Sequence, residues 1–296
     1  MSRLPRSAIG ALLLIVTSWA PPAHATREGL RLEADCGERI YGLGHPVSVL
    51  VRIFNIGPNE YRDIAPLEYY YGWLNVELTT QGRRLRWTAP RPMIVVSGEG
   101  TRLKPGESRC AVVDLMDMYG NTKELAQPDS GVTVQFLPPG DYSAKVTFRS
   151  RTGWLNDLRQ ETLVSEEFRF YIDESPRLTE PDAAALHWLA RLGGDPKLSG
   201  FTTQEKLDAV RATAGSGLFP VVWGRLRLTE ADLPLRDVIR DLRRAGQNRV
   251  MLARIARQRV HVHGVRETYF ADEELAPVRC ILETRRTQMK RQRASR

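Results

Sequence analysis

His261-Val262-His263 is the one place in this chain where two strong metal ligands stand side by side. Two imidazoles two apart on a strand point to the same face and can share an ion, with Glu267 and Asp272 as the nearest carboxylates. A zinc site needs three or four ligands, and no cysteine or His-Glu-x-x-His pattern completes the set. The pair therefore reads as two surface histidines, with a cryptic hydrolase or metalloenzyme kept as an alternative. Nucleophilic chemistry fares no better. Gly215-Ser216-Gly217 lacks the Gly-x-Ser-x-Gly elbow and its strand-turn-helix setting, and reads as a flexible loop. Cys280 sits beside Ile281 and Leu282 in an amphipathic stretch and reads as a core thiol.

The remaining polar candidates have plainer readings. His45 precedes Pro46 at a strand start and reads as a turn residue, and His187 lies beside Trp188 at helical spacing, where packing explains it. Asp114 and Asp117 form a loop pair to which no role is assigned. Neither a phosphate loop nor a dinucleotide fingerprint is present, so no catalytic, cofactor-binding or metal residue is assigned.

Binding chemistry has two candidates. Tyr69, Tyr70, Tyr71 and Trp73 form an aromatic cluster, and aromatics on a loop give large contact area at low entropic cost. The competing reading is a strand whose alternate members face a core, leaving Tyr70 outside. Arg236, Arg240, Arg243 and Arg244 recur at helical spacing and make a positive stripe suited to another envelope protein or an acidic polymer. The competing reading is a solvated face. From Asp232 onward sixteen bases stand against eight acids, a surplus equal to the formal charge of +8 of the whole chain.

These residues need elements to hold them. Residues 1–25 read as a signal peptide: Arg3 and Arg6, an apolar run from Ala8 to Trp19, then Ala23-His24-Ala25 before a mature start at Thr26. The apolar run is shorter than the roughly 20 residues that span a bilayer, and Pro21-Pro22 breaks it. The expectation is a secreted or periplasmic protein with no transmembrane segment after cleavage and no nucleic-acid partner. Its oligomeric state is left open. Three cysteines are too few for a disulfide scaffold. Cys36 and Cys110 lie in strand-like segments and can bridge in an oxidising compartment, or can be two buried small hydrophobes.

Over residues 26–174 short alternating runs are separated by turn signals, the pattern of an antiparallel sandwich. Leu30–Ala34, Val47–Phe54, Trp73–Leu78, Leu85–Trp87, Met93–Val96, Ser108–Leu115, Val132–Leu137, Tyr142–Phe148 and Glu167–Ile172 are the candidate strands. Glu60–Tyr70 reads as the longest irregular piece. Residues 175–289 change to helical periodicity, with Thr179 and Thr203 as caps and Leu218–Leu228 ambiguous between helix and buried strand. Residues 290–296 read as a frayed, disordered basic tail.

Leu103-Lys104-Pro105-Gly106-Glu107-Ser108 and Leu137-Pro138-Pro139-Gly140-Asp141-Tyr142 each introduce a strand, after the long Val47-to-Asn55 strand and Trp73. In this order of features, residues 30–172 resemble bacterial exported immunoglobulin-like domains, including the BsuPI-type proteinase-inhibitor domain. Ser216-Gly217-Leu218-Phe219 to Leu228 resembles the helical, tetratricopeptide-type extension that follows such domains in some exported proteins. The resemblance implies a multi-domain all-β plus α chain, an Ig-like antiparallel β-sandwich followed by a mainly α-helical domain, and carries no shared active site. The expected role is a non-enzymatic binding or scaffold protein of the cell envelope, with a secreted protease inhibitor as the alternative that the resemblance implies.

Overall fold

The computed structural model describes residues 25–27, 29–65, 67, 72–86, 101–124, 133–152, 159–174, 179–193, 200–258 and 270–294. Period-two alternation builds the first layer. β1 (Ala25–Arg27), β2 (Leu30–Asp35), β4 (Ser48–Asn55) and β9 (Ser108–Asp114) pair antiparallel in the order β1-β2-β4-β9. Val49, Val51 and Ile53 of β4, with Val47 just before it, are buried together with Leu30 and Leu32 of β2. Each such side chain contributes about 1.5–3 kcal/mol of burial, which fixes the register because a slip by one residue would turn the whole set outward.

The second sheet runs β3 (Ile40–Gly42), β14 (Phe168–Asp173), β12 (Gly140–Thr152), β6 (Leu74–Thr80) and β7 (Arg83–Arg84). β13 (Arg159–Val164) pairs with the second half of β12, and every pair is antiparallel except β3 with β14. Leu74, Val76, Leu78, Ala144, Val146, Phe148, Phe170 and Ile172 join the first sheet's residues in one core, so the two sheets form a sandwich. Two short ribbons complete it: β5 (Tyr61–Ile64) with β8 (Thr101–Leu103), and β10 (Asn121–Glu124) with β11 (Thr133–Phe136).

Turn chemistry sits where the sequence put it. In the first proline-glycine corner, Glu107 N donates to Lys104 O at 3.0 Å while its carboxylate accepts from Lys104 N at 2.9 Å. In the second, the Tyr142 hydroxyl donates to Pro138 O at 2.6 Å, and the ring stacks on Phe170 at 5.1 Å. The turn after β4 is closed by the buried Asn55, whose Nδ2 donates to Asn59 O at 2.7 Å and Leu103 O at 2.9 Å.

The periodicity change after Asp173 marks a second layer. α2 (Glu180–Gly193), α3 (Thr203–Thr213), α4 (Phe219–Leu226), α5 (Leu235–Arg244), α6 (Arg249–Gln258) and α7 (Ala276–Ala294) pack around their own core. A 3₁₀ turn at Glu273–Leu275 leads into α7. The cap of α3 is Thr202, one residue before the expected Thr203: its hydroxyl accepts from Glu205 N while the Glu205 carboxylate accepts from Thr202 N. The ambiguous Leu218–Leu228 stretch is helical, with Pro220 in the first turn, where its missing N–H costs nothing.

Several elements depart from the sequence expectations. The Glu60–Tyr70 stretch contains β5, α1 (Leu115–Tyr119) follows β9 directly, and β13 was not foreseen. α7 continues through Lys290 to Ala294, into the stretch read as a tail. Residues 1–24 of the expected signal peptide, Trp87 and the expected Met93–Val96 strand lie outside the described residues.

The largest departure concerns the cysteines. Cys110 on β9 is bonded to Cys280 on α7, and Cys36 is a free, buried thiol. Cys36 belongs to the sandwich core, whereas Cys110, with Leu50 and Val112, belongs to the core of the helices. Alternate residues of β4 and β9 thus serve different cores; of the two readings of Cys36 and Cys110 the bridge is not formed, and Cys36 is the buried small hydrophobe of the other reading. The Cys280 core-thiol reading is corrected by its bond to Cys110.

Candidate functional site

Of the aromatic candidates, Tyr69, Tyr70 and Tyr71 lie outside the described residues. Trp73 is half-buried at the start of β6, packed against the sandwich core, and its carbonyl accepts from Arg149 N at 2.7 Å. The arginine stripe lies on α5, whose Leu235, Val238, Ile239 and Leu242 face the helical core. Trp73 and the stripe therefore stand on different cores. Each stripe arginine is laced to an acid. Arg240 meets Asp237 at 2.8 Å, Arg236 meets Asp237 at 3.7 Å, Arg244 meets Asp241 at 3.9 Å, and Arg243 meets Glu274 at 2.6 Å and Asp272 at 3.3 Å. Exposed pairs of this kind contribute about 0–1 kcal/mol each, but they cancel much of the field that spacing alone assigned to the stripe.

The histidine pair His261 and His263, with Glu267, lies outside the described residues. Asp272 caps the 3₁₀ turn by accepting from Glu274 N at 3.0 Å. Among the described residues no group of three or more His, Cys, Asp or Glu is placed to hold a metal ion.

What the structure does bring together is a polar junction between the first sheet and the helices. α6 and α7 lie against β4 and β9. The Arg254 guanidinium on α6 is paired with Asp114, the residue that caps α1 by accepting from Met116 N at 3.1 Å, and donates to Ser48 Oγ at 3.0 Å. One helical turn on in its own element, Arg257 donates to the Val112 carbonyl. Thr284 on α7 accepts from Cys110 N at 3.2 Å, next to the disulfide. At the other end of α6, Arg249 holds Asp35 at 2.5 Å and Asn248 donates to Glu38 Oε1 at 2.6 Å.

A second polar cluster closes the junction near the start of α2. Asp182 is 4 % exposed. It accepts from Ser216 Oγ at 2.7 Å and Thr179 Oγ1 at 2.7 Å, and His45 Nε2 lies 3.5 Å away. Burial raises the Asp182 carboxyl, but the His45, Ser216 and Thr179 contacts together outweigh it and hold the group well below the usual carboxylate range. Ser216 is fully buried and also accepts from Leu218 N at 2.9 Å, so Gly215-Ser216-Gly217 is a tied turn rather than the expected flexible loop. Serine, histidine and aspartate meet here, but the carboxylate takes the serine proton directly. His45 Nε2 faces Oδ1, the same oxygen that accepts from Ser216, so the carboxylate ties a sandwich residue to the turn before α4.

Two cavities border the junction. One, of about 20 Å³, is lined by Cys36, Tyr41, His45 and Ser48 among others, and offers room for a single water. Cys36 there is pushed up to about 11 by burial and by the neighbouring Asp35, so it is a poor nucleophile at neutral pH. The other, of about 220 Å³, is lined by Val112, Asp114, Asp117, Arg254, Arg257, Gln258 and Arg285. The sequence singled out Cys36 and His45 at the first and the Asp114/Asp117 pair at the second. The arginine partner of Asp114 lies 140 residues away, and nothing in local spacing links the two.

No protein-family model matches the sequence, and no curated protein does. Among solved structures, the native conformation of E. coli alpha-2-macroglobulin, reconstructed by cryo-EM, is 11% identical with a TM-score of 0.26, covering 78% of this chain and 16% of that one. The crystal structure of the native E. coli protein from domain MG7 to the C-terminus is 12% identical with a TM-score of 0.26, covering 77% of this chain and 41% of that one. This chain spans less than half the length of either, and superpositions at these scores carry no argument about its fold or its role.

Proposed function

We propose that the chain is an exported, non-enzymatic binding or scaffold protein of the cell envelope, built on an immunoglobulin-like sandwich. The observation that carries this reading is the Cys110–Cys280 bridge between the sandwich and the helical layer. Structural disulfides persist in oxidising compartments, in agreement with the leader read in residues 1–25. The bridge also makes one frame of two layers, and a preorganised frame loses little entropy when a partner docks. Two sheets around a shared core, and a Tyr142 hydroxyl reaching back to Pro138 O in the manner of a tyrosine corner, support the immunoglobulin-like part.

The sandwich offers a partner its second sheet. Among the described residues no helix core covers that sheet's outer face, where Lys145, Arg169 and Tyr171 are exposed. Ile40 on the edge strand β3 is 65 % exposed beside its register partner Tyr171, the kind of apolar spot on a polar face that contact surfaces use. The expected outcome of an affinity capture from envelope extract is a defined set of partners. That set should be lost when Tyr69, Tyr70, Tyr71 and Trp73, or Arg236, Arg240, Arg243 and Arg244, are replaced by alanine. Recovery of the same set by both variants would sink the assignment of those surfaces, and localisation of the protein to the cytoplasmic fraction would sink the export reading.

A further inference from the structure

We infer that the 220 Å³ cavity at the junction is a binding site for a small monocarboxylate. The argument begins with charge. Three guanidiniums, from Arg254 and Arg257 on α6 and Arg285 on α7, meet two carboxylates, from Asp114 and Asp117, on the walls of one cavity. Counted over these lining side chains, positive charges exceed negative ones by one. A carboxylate supplies one negative charge; a phosphate monoester at neutral pH supplies about 1.5–2 and would overshoot that excess.

The geometry then picks the anchoring residue. Arg254 is committed, paired with Asp114 and donating to Ser48, with both charged side chains at about one-tenth exposure. Arg257 is half-buried, and its hydrogen bond is to the neutral carbonyl of Val112. Among the described residues no carboxylate oxygen comes within 4.0 Å of it. A guanidinium carries five donors in a flat fork, so one carbonyl leaves most of that fork to be satisfied by water or by a ligand. Partly desolvated positive charge facing an open volume attracts an oxyanion, and the fork matches a carboxylate in two parallel hydrogen bonds.

Size and placement agree. At about 30 Å³ per water, 220 Å³ holds roughly seven, the room of an amino acid or a small hydroxy acid. The walls come from β9, α1, α6 and α7, so the site exists only when the helical layer is docked on the sheet, and interfaces between layers are a common place for such pockets. The carboxylate can belong to a free organic acid or to the terminus of a short peptide.

The test uses the full disulfide-bonded chain and isothermal titration at constant ionic strength, with L-lactate, trialanine, trialanine amide, inorganic phosphate and chloride as probes. Lactate is expected to bind and chloride not. Trialanine binding with no binding of its amide assigns a peptide terminus, and lactate binding without trialanine assigns a free acid. Arg257→Gln should weaken the carboxylate by about tenfold or more, the loss of a charge-assisted pair, with Arg257→Lys in between. If Arg257→Gln fails to fold, the Lys variant alone carries the comparison. No carboxylate binding above the chloride control, phosphate bound more tightly than every carboxylate, or equal affinity in wild type and the Arg257 variants would each overturn the proposal.

Discussion

Asp182 touches almost no solvent, yet it takes hydrogen bonds from two hydroxyls and faces His45 from the sandwich. Its carboxyl lies below the usual range in the folded chain, against the pull of burial and because of those contacts. The ionised form therefore contributes stability that is fully present above the unfolded-state value, about 3.9, and is lost as pH falls through the depressed folded value. In urea denaturation, Asp182→Asn should be less stable than wild type at pH 5, with the gap narrowing steadily below about pH 4. A gap of constant size down to pH 2 would show that the charge is not what holds the junction. This role was not readable from sequence. Asp182 stands at a helix start, where an acid needs no further explanation, and the two residues that redefine it, His45 and Ser216, read locally as a turn and a loop.

At the scale of elements, β4 was legible on one face only. Its β-branched alternation identified the strand and the sandwich core, but the second set, Ser48, Leu50, Arg52 and Phe54, looks like an ordinary outward face. It becomes interpretable only when α6 is seen to lay Arg254 across Ser48 and Asp114. Helix starts and proline-glycine corners were recovered because capping and turn chemistry are local. Interlayer pairs were not, because they join residues far apart in the chain, such as Arg254 and Asp114, separated by 140 positions. Arg254→Ala should cost about 3–5 kcal/mol in denaturant unfolding, since it leaves a buried carboxylate without its counter-charge. A loss under about 1 kcal/mol would place the pair among surface ion pairs instead. Gly217 marks the same contact from the other side: a Cβ there would sit 2.3 Å from His45 Nδ1, against a ring that faces Asp182 at 3.5 Å. Gly217→Ala should cost about 1–3 kcal/mol through overpacking, while its helix-side neighbour core stays intact by circular dichroism.

For the whole molecule, the disulfide sets the terms. It closes a span of 170 residues, and in the chain-entropy account a loop of that length contributes about 5 kcal/mol, at the upper end of what such bonds deliver. Cys280→Ser should lower stability by about 3–5 kcal/mol, and thiol titration of the unreduced, denatured protein should find one thiol per chain, Cys36. Three thiols would refute the bridge. The division of cysteines between two faces of one sheet also governs how the correct pair is reached. Cys280 lies 170 residues after Cys110, so until it too has entered the oxidising compartment Cys36 is the thiol on hand. A sandwich that folds first takes Cys36 out of reach within its own core while leaving Cys110 on the opposite, still uncovered face. The sheet works as a sorting partition, holding the wrong partner behind it until the arriving helix brings the right one.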